Sequence, residues 1–433
     1  MKKIFIWAWS WSEHKICSYH STIVYNFFKE NNYNLVKSPY EADFIILNWY
    51  PFEENEERKD LLTIWHYLKI NKNAKIILIW SMSWMMKYMD SHDRIILIWA
   101  KKLKLFDDLF IHNISIFDIE LDNVKFFIPL YYDSLNLDHY WYNWLNVESK
   151  YVFSLDDLKI DLDIISSWNY EISKNIEYDY EKYNYLDDIS WEYPIEICTW
   201  CWWYCTYCDI KNVAWFVDSV WIEKIINKIK RGVSLWYKKI HFIDEDSASY
   251  WLDKWIDFSV LLNEIWKLEL DFKLRIFYFE PWRLEKLYEK INPEFWLKVE
   301  HFCIPLQTLS QRILKLMNRN YDIQKVIDIS KEIRKINPNI SITTQFIYWF
   351  PTETFAEFKS YFSIMNDFDE IRFWYYSDRK WTQSISFPWK INKMEMIKRL
   401  IFLWKIKLKN LDKIFDKNET LVQWIKIFSS RDF

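Results

Sequence analysis

One glycine, Gly232, stands in a chain of 433 residues that also carries 29 tryptophans. At an average usage of about 7%, a chain this long would hold roughly 30 glycines. Few folds of this size can do without glycine, because tight turns and helix ends need backbone with φ > 0, which glycine adopts without steric cost. The tryptophans stand where that need is greatest. Trp7, Trp9 and Trp11 follow a strand and precede a helix, Trp202 and Trp203 interrupt a cysteine-rich loop, and Trp349 precedes Phe350-Pro351 at a strand-end turn. The expectation is that most of these tryptophans are glycines in the cell, where UGA is read as glycine, and are mistranslated in the written sequence. Trp65 and Trp374, flanked by apolar and aromatic residues, are the candidates for genuine tryptophan.

The second constraint is the run Ile-Glu-Ile-Cys-Thr-Trp-Cys-Trp-Trp-Tyr-Cys-Thr-Tyr-Cys over residues 195–208. Cys201, Cys205 and Cys208, spaced x3 and x2, can hold three irons of a [4Fe–4S] cluster and leave the fourth open to an exogenous ligand. Alternatives remain. Cys198-x2-Cys201 and Cys205-x2-Cys208 read as two zinc knuckles, but structural zinc pairs are usually separated by about 12–20 residues. A ferredoxin-type run has x2, x2, x3 spacing and a proline after its last cysteine, where this chain has Asp209. Disulfides suit small secreted domains better than a chain this long. Cys198, on the strand before the loop, reads as a packing residue.

With 57 basic and 61 acidic residues the formal charge is −4, so no global basic field argues for nucleic acid. No run of 18 or more apolar residues suggests a membrane span. Met1–Ile6 reads as a strand, without the length and cleavage site of a signal peptide. Reduced cysteines point to the cytoplasm.

Short apolar runs at 4–6, 43–48, 75–79 and 94–98 alternate with helix-like segments near 21–31, 55–70 and 100–110, the pattern of buried parallel strands in an open doubly wound α/β domain over residues 1–130. Residues 131–190, rich in Tyr, Asp, Asn and Glu, read as an inter-domain segment. Over 191–390 strands at 195–199, 239–244, 272–279, 298–305, 340–348 and 370–376 alternate with helices near 219–231, 254–267, 282–290, 309–336 and 353–366. Six such repeats predict a partial (β/α)6 barrel, with its chemistry at the C-terminal strand ends. Residues 391–433 form a helical tail; its stretch 390–417 holds nine basic and three acidic residues and is read as a solvated helix, with phosphate-backbone contact as the alternative.

Four stretches carry a family resemblance: Tyr204–Cys208; His301–Gln307 running into Arg312–Tyr321; Ile342–Tyr348 leading to Trp349-Phe350-Pro351-Thr352-Glu353-Thr354; and Ser377–Thr382. With Trp349 and Trp381 read as glycine, this region resembles the methylthiotransferase branch of the radical S-adenosylmethionine (SAM) superfamily, whose members modify tRNA or a ribosomal protein. The resemblance implies one [4Fe–4S] cluster on Cys201, Cys205 and Cys208, with SAM on the open iron. It further implies reductive cleavage of SAM to a 5′-deoxyadenosyl radical that abstracts hydrogen from a macromolecular substrate, tRNA or protein, and an electron donor such as flavodoxin or ferredoxin. By the same resemblance Tyr207 lies near the adenine and Glu245 contacts the SAM amino group, unless Asp244, Glu245 and Asp246 are a solvated acidic turn. Gln307 bonds the ribose or the carboxylate of SAM, and Ile347 and Trp349 lie along the adenine. Arg319 neutralises the SAM carboxylate or pairs at the surface. His301 and Cys303 share a strand face and are read as a buried neutral histidine beside a packed cysteine, with substrate contact as the alternative. Glu41–Asn48 also matches the family's N-terminal domain. Where that family carries three auxiliary-cluster cysteines, however, this chain has His14, Tyr50 and Ser81, with Cys17 nearby. The family's C-terminal RNA-binding barrel has no counterpart in the tail. Radical generation is therefore implied more strongly than sulfur insertion. A methylthiotransferase with a remodelled sulfur source and a non-catalytic iron–sulfur or RNA-binding module are the alternatives.

Peptide sequencing of the native protein by mass spectrometry across Cys198–Cys208 is expected to show glycine at positions 200, 202 and 203; tryptophan there would crowd the cysteine loop and remove the catalytic reading.

Overall fold

A computed structural model describes residues 2–8, 15–48, 64, 67–79, 92–98, 103–121, 192–199, 201–208, 210, 217–254, 257–379 and 382–409. The chain divides into two compact units, Met1–Ser190 with Lys417–Phe433, and Trp191–Asp416. Residues His14, Tyr50, Ser81, Trp65, Trp381 and the segment 131–190 lie outside the described residues.

In the first unit, β1 (Lys3–Ala8), α1 (Lys15–Glu30), β2 (Asn34–Leu35), β3 (Phe44–Asn48), β4 (Lys75–Ile79), β5 (Ile95–Ile98) and α2 (Lys104–Leu109) build a five-stranded sheet ordered β2-β1-β3-β4-β5. Every pairing is parallel. The continuous apolar runs explain this: Ile4–Ile6, Ile45–Leu47 and Ile76–Ile79 are buried residue after residue, as strands covered on both faces must be. The order is that of a doubly wound α/β domain.

The second unit contains β6 (Glu192–Ile195), β7 (Cys198–Thr199), β8 (Asp218–Ser219), α3 (Ile222–Ser234), β9 (Lys239–Phe242), α4 (Phe258–Trp266), β10 (Lys273–Ile276), α5 (Pro281–Leu287), β11 (Val299–Gln307), α6 (Gln311–Leu316), α7 (Ile323–Ile336), β12 (Ser341–Tyr348), α8 (Phe355–Ser360), β13 (Glu370–Tyr375) and α9 (Lys393–Lys409). Six strands form one parallel sheet, β13-β12-β11-β10-β9-β6, in strict sequence order. This is the expected partial barrel, and the parallel order brings all six C-terminal strand ends to one rim. Two elements differ from expectation. The strand expected at 195–199 is split, because Cys198–Thr199 turn away to pair antiparallel with Asp218–Ser219. The helix expected at 309–336 is two helices: Asn318 takes φ 57° after α6, and Asp322 restarts the chain by accepting from the Lys325 N–H at 3.1 Å.

Strand alternation gives the sheet two chemically distinct faces. Ile240 and Phe242 of β9, Leu274 and Ile276 of β10, and Ile342 and Phe346 of β12 are wholly buried. Intervening positions carry Glu192, His241, Arg275, His301, Thr343 and Arg372. On α3, Ile225, Ile229 and Gly232 form the buried stripe. A Cβ at Gly232 would come within 2.6 Å of the Tyr193 ring, so no side chain fits there, and the one written glycine is at a place that tolerates nothing larger.

Three helices end in the same way. After α1, Tyr33 N–H reaches Phe28 O at 2.9 Å; after α6, Arg319 N–H reaches Leu314 O at 2.9 Å; after α3, Tyr237 N–H reaches Gly232 O at 3.1 Å. Each is a Schellman closure, which needs one left-handed residue. The first two use Asn32 and Asn318, and the third has Trp236 at φ 71°. Trp251, Trp349 and Trp389 are also left-handed. Asparagine tolerates that backbone, whereas a bulky side chain costs about 1–2 kcal/mol. These four positions support the glycine reading. Because Trp236 is 86% exposed, little packing is at stake there. Trp236→Gly is expected to raise stability by about 1 kcal/mol in urea unfolding, while Trp236→Ala, which keeps the strain, leaves the midpoint near that of the written sequence.

Candidate functional site

The rim gathers the loop after β6 and β7, which holds the cysteines, with the loops after β9 and β10, the ends of β11 and β12, and the C-terminal end of α6. The cysteine loop is held by unsatisfied helix-end carbonyls. Thr206 donates from its backbone N–H to Met317 O at 3.1 Å and from its hydroxyl to Leu316 O at 2.7 Å. Asn318 Nδ2 donates to Tyr204 O at 2.8 Å, and Trp202 N–H donates to Ser249 Oγ at 2.9 Å. The Met317-Asn318-Arg319 stretch is thereby built into the loop that precedes it by more than a hundred residues.

Cys201, Cys205, Cys208 and Cys198 form no disulfide. Burial, then the charges of Asp246, Cys205 and Cys208, push the Cys201 thiol well above its ordinary range. The three cysteines of the x3, x2 spacing thus share one electrostatic neighbourhood. Among the described residues no group of three or more His, Cys, Asp or Glu side chains converges as a single metal ion requires. A cubane instead spreads its thiolates over separate irons, and three soft thiols on one loop, Cys205 buried and Cys201 and Cys208 partly exposed, are a donor set that suits it. Cys198 is wholly buried, with its sulfur 3.7 Å from Asp246 O.

Around the thiols lies a polar shell. Arg319, 5% exposed, sends Nη1 to Cys205 Sγ at 3.6 Å and to Tyr207 Oη at 3.4 Å. Its Nη2 reaches Glu280 at 2.6 Å and Pro305 O at 3.0 Å. The alternative of a surface pair is therefore corrected: Arg319 is interior, drawn in by the buried carboxylate of Glu280. Its Nε has no partner among the described residues, leaving one N–H for a carboxylate. Burial pushes Glu280 up to about 7, against the pull of Arg319. On the other side, Asp246 Oδ2 stands 3.9 Å from Cys201 Sγ and accepts from Ser249 Oγ at 2.6 Å.

The acidic turn after β9 is not solvated. Asp244, 1% exposed, accepts from the Ile197 and Cys198 N–H groups at 2.8 and 3.1 Å and is pushed up to about 8, chiefly by burial. Asp244 and Asp246 are thus consumed as loop supports, while Glu245 between them is half-buried. Tyr207 and Ile347 pack on one apolar cluster with Ile313, Met317 and Phe350. Gln307 ends β11 at φ 65°, beside an irregularity in the β11–β12 register, and its buried Oε1 has no partner among the described residues. Trp349 is buried at φ 68°, its N–H bonded to Glu353 at 3.0 Å. The structure thus brings Tyr207, Arg319 and Ile347 to the cysteine loop and sets Gln307 and Trp349 at strand ends on the same rim.

Below the rim, the sheet's polar face carries a group of which the sequence reading singled out only His301 and Cys303. Glu192 pairs with His241 at 2.9 Å and with Arg275. Phe277 lies between the rings of His241 and His301, with centroids 4.8 and 4.7 Å apart. His301 is held well below its usual pKa, first by burial and then by Arg275. Thr343 stands 3.5 Å from His301 Nε2 and also hydrogen-bonds Cys303. Gln345 Nε2 and Arg275 Nε have no partner among the described residues. The available signal was the alternation of charged residues in parallel strands that should be apolar throughout; Glu280, the carboxylate directly before Pro281, was a similar signal at a strand end.

The basic tail also differs from a solvated helix. Arg399 of α9 is 1% exposed. It pairs with the equally buried Glu353 through Nη1 and donates from Nη2 to Glu353 O at 2.6 Å. Tyr361 also donates to Glu353. No helix among the described residues is long and apolar enough to cross a membrane.

The sequence pattern of the Radical SAM superfamily matches residues 195–363. The ribosomal protein uS12 methylthiotransferase RimO of Natranaerobius thermophilus is 30% identical over 237 residues, 53% of this chain and 52% of that one. A probable threonylcarbamoyladenosine tRNA methylthiotransferase of Methanocaldococcus jannaschii is 31% identical over 209 residues, 47% of this chain and 49% of that one. The chain thus spans about half the length of these curated relatives. In fold it is similar to the radical S-adenosylmethionine methyltransferase TsrM of Kitasatospora setae, solved with tryptophan and a SAM analogue. That likeness has a TM-score of 0.51 at 9% identity and covers 86% of this chain and 73% of TsrM.

Arg399→Ala is expected to destabilise the barrel unit by about 3–5 kcal/mol, because it strands the Glu353 carboxylate. Arg399→Met combined with Glu353→Gln should recover much of that loss in urea unfolding, which a purely steric role for Arg399 would not allow.

Proposed function

We propose that this chain, which carries a radical SAM domain across residues 195–363, is an iron–sulfur enzyme that cleaves SAM reductively to abstract hydrogen from a macromolecular substrate, tRNA or protein. The observation that carries this reading is the set Cys201, Cys205 and Cys208, none of them in a disulfide, on a loop pinned to the end of α6 at the C-terminal rim of a six-stranded parallel sheet. When bound there, a [4Fe–4S] cluster with SAM on its open iron supplies the single electron that breaks the carbon–sulfur bond and leaves a 5′-deoxyadenosyl radical.

The protein's part is to bind, orient and exclude water. Cys201, Cys205 and Cys208 ligate iron as thiolates. Arg319 offers its unpartnered Nε–H to the SAM carboxylate, and Gln307 offers an unpartnered oxygen to a ribose hydroxyl. By the family resemblance Glu245 is the carboxylate that contacts the SAM ammonium, while Asp244 and Asp246 serve the loops. Tyr207 and Ile347 provide an apolar wall for the adenine. With glycine at 349, backbone would line that wall; an indole would fill it. Below, Gln345 and Arg275 present donors to a substrate group entering the barrel. Free thiols and such a cluster require a reducing compartment, the cytoplasm, and a one-electron donor such as flavodoxin or ferredoxin. The domain limits 1–130, 131–190, 191–390 and 391–433 belong to the same proposal.

A second reading, a methylthiotransferase with a remodelled sulfur source, is favoured by the names of the relatives. It is opposed by His14, Tyr50 and Ser81 at the positions where that family's auxiliary cysteines are expected. The glycine form of the chain, reconstituted anaerobically, is expected to bind about four irons per chain and, once reduced, to release 5′-deoxyadenosine from SAM well above a Cys205→Ala control. About eight irons would favour the second reading, and a cluster without SAM cleavage would reduce the chain to a binding module.

A further inference from the structure

Arg319 does more than face SAM. Its guanidinium is fixed by partners on separate elements: Cys205 Sγ at 3.6 Å and Tyr207 Oη at 3.4 Å in the cysteine loop, Glu280 at 2.6 Å after β10, and Pro305 O at 3.0 Å in β11. Arg319 and Glu280 are each 5% exposed, so solvent screens neither charge from the thiols. Nη1 is shared between sulfur and phenol, and Nη2 between carboxylate and carbonyl, which holds the charged group against Cys205.

We infer that Arg319 and Glu280 are a positioning pair that sets the reduction potential of the cluster held by Cys205, with opposite signs. The inference rests on the radical SAM reading above. A reduced cluster carries one more negative charge than an oxidised one. A cationic N–H donor on a ligating sulfur therefore stabilises the reduced form and raises the potential. Glu280 offsets that charge, so removing it frees Arg319 to act more strongly. Cys201 faces the carboxylate of Asp246 instead, so the cation would act through Cys205.

The test is a redox titration of the full reconstituted chain, followed by electron paramagnetic resonance without SAM. It is run at pH 8, above the value to which burial pushes Glu280. Arg319→Gln should shift the midpoint negative and Glu280→Gln should shift it positive, with Arg319→Lys falling between Arg319→Gln and the parent. Iron and sulfide content establish that each variant holds its cluster; if Arg319→Gln does not, Glu280→Gln and Arg319→Lys still decide the sign. Midpoints that stay at the parent value, or that move in the same direction for Arg319→Gln and Glu280→Gln, overturn the inference. A parent chain that assembles no four-iron cluster overturns the functional reading itself, so the two failures are distinguishable.

Discussion

The rim depends on how one short helix ends. The last carbonyls of α6 cannot be satisfied within the helix, and two of them, Leu316 O and Met317 O, are taken by Thr206 of the cysteine loop. The left-handed Asn318 that closes the helix bonds Tyr204 O, and the next residue, Arg319, turns inward to Cys205 and Glu280. A single C-cap therefore fixes the loop's height, its orientation and the position of its nearest positive charge. Without it the loop would keep its bonds to Ser249 and Ser384 but lose its link to the helix end. Soft ligands need fixed partners around them if they are to tune a metal group rather than merely hold it.

Architecture was legible because it rests on apolar strand runs, which hold whether the turn positions are read as tryptophan or as glycine. Continuous apolar strands and their spacing announced two parallel sheets, and replacing glycine by tryptophan at turns leaves those runs intact. Boundaries were harder. Residues 309–336 look like one helix because their apolar periodicity continues through Met317; only the backbone of Asn318 and the capping by Asp322 break it. The strand at 195–199 was read as continuous because the β7–β8 pairing leaves no trace in hydropathy.

The site was partly legible for a related reason. Cysteine spacing announces itself, and strand-end motifs locate a rim. Sequence cannot show which acid of Asp244-Glu245-Asp246 is spent on backbone N–H groups, because that depends on where Ile197 and Cys198 pass. Nor could it tell whether Arg319 lay inside or outside, since that was decided by Glu280, 39 positions away. The Glu192, His241 and Arg275 group follows the same rule: a buried charge becomes intelligible only once its counter-charge on another strand is located.

The buried pair between Arg399 and Glu353 also bears on the order in which the molecule is made. The two residues are separated by 46 positions, and Glu353 anchors the turn that ends β12. During synthesis that turn leaves the ribosome well before its cation does. Until α9 arrives, Glu353 lacks its cation, so its carboxylate must either stay hydrated or take up a proton. The turn that ends β12 thus gains its buried cation only once α9 has been made.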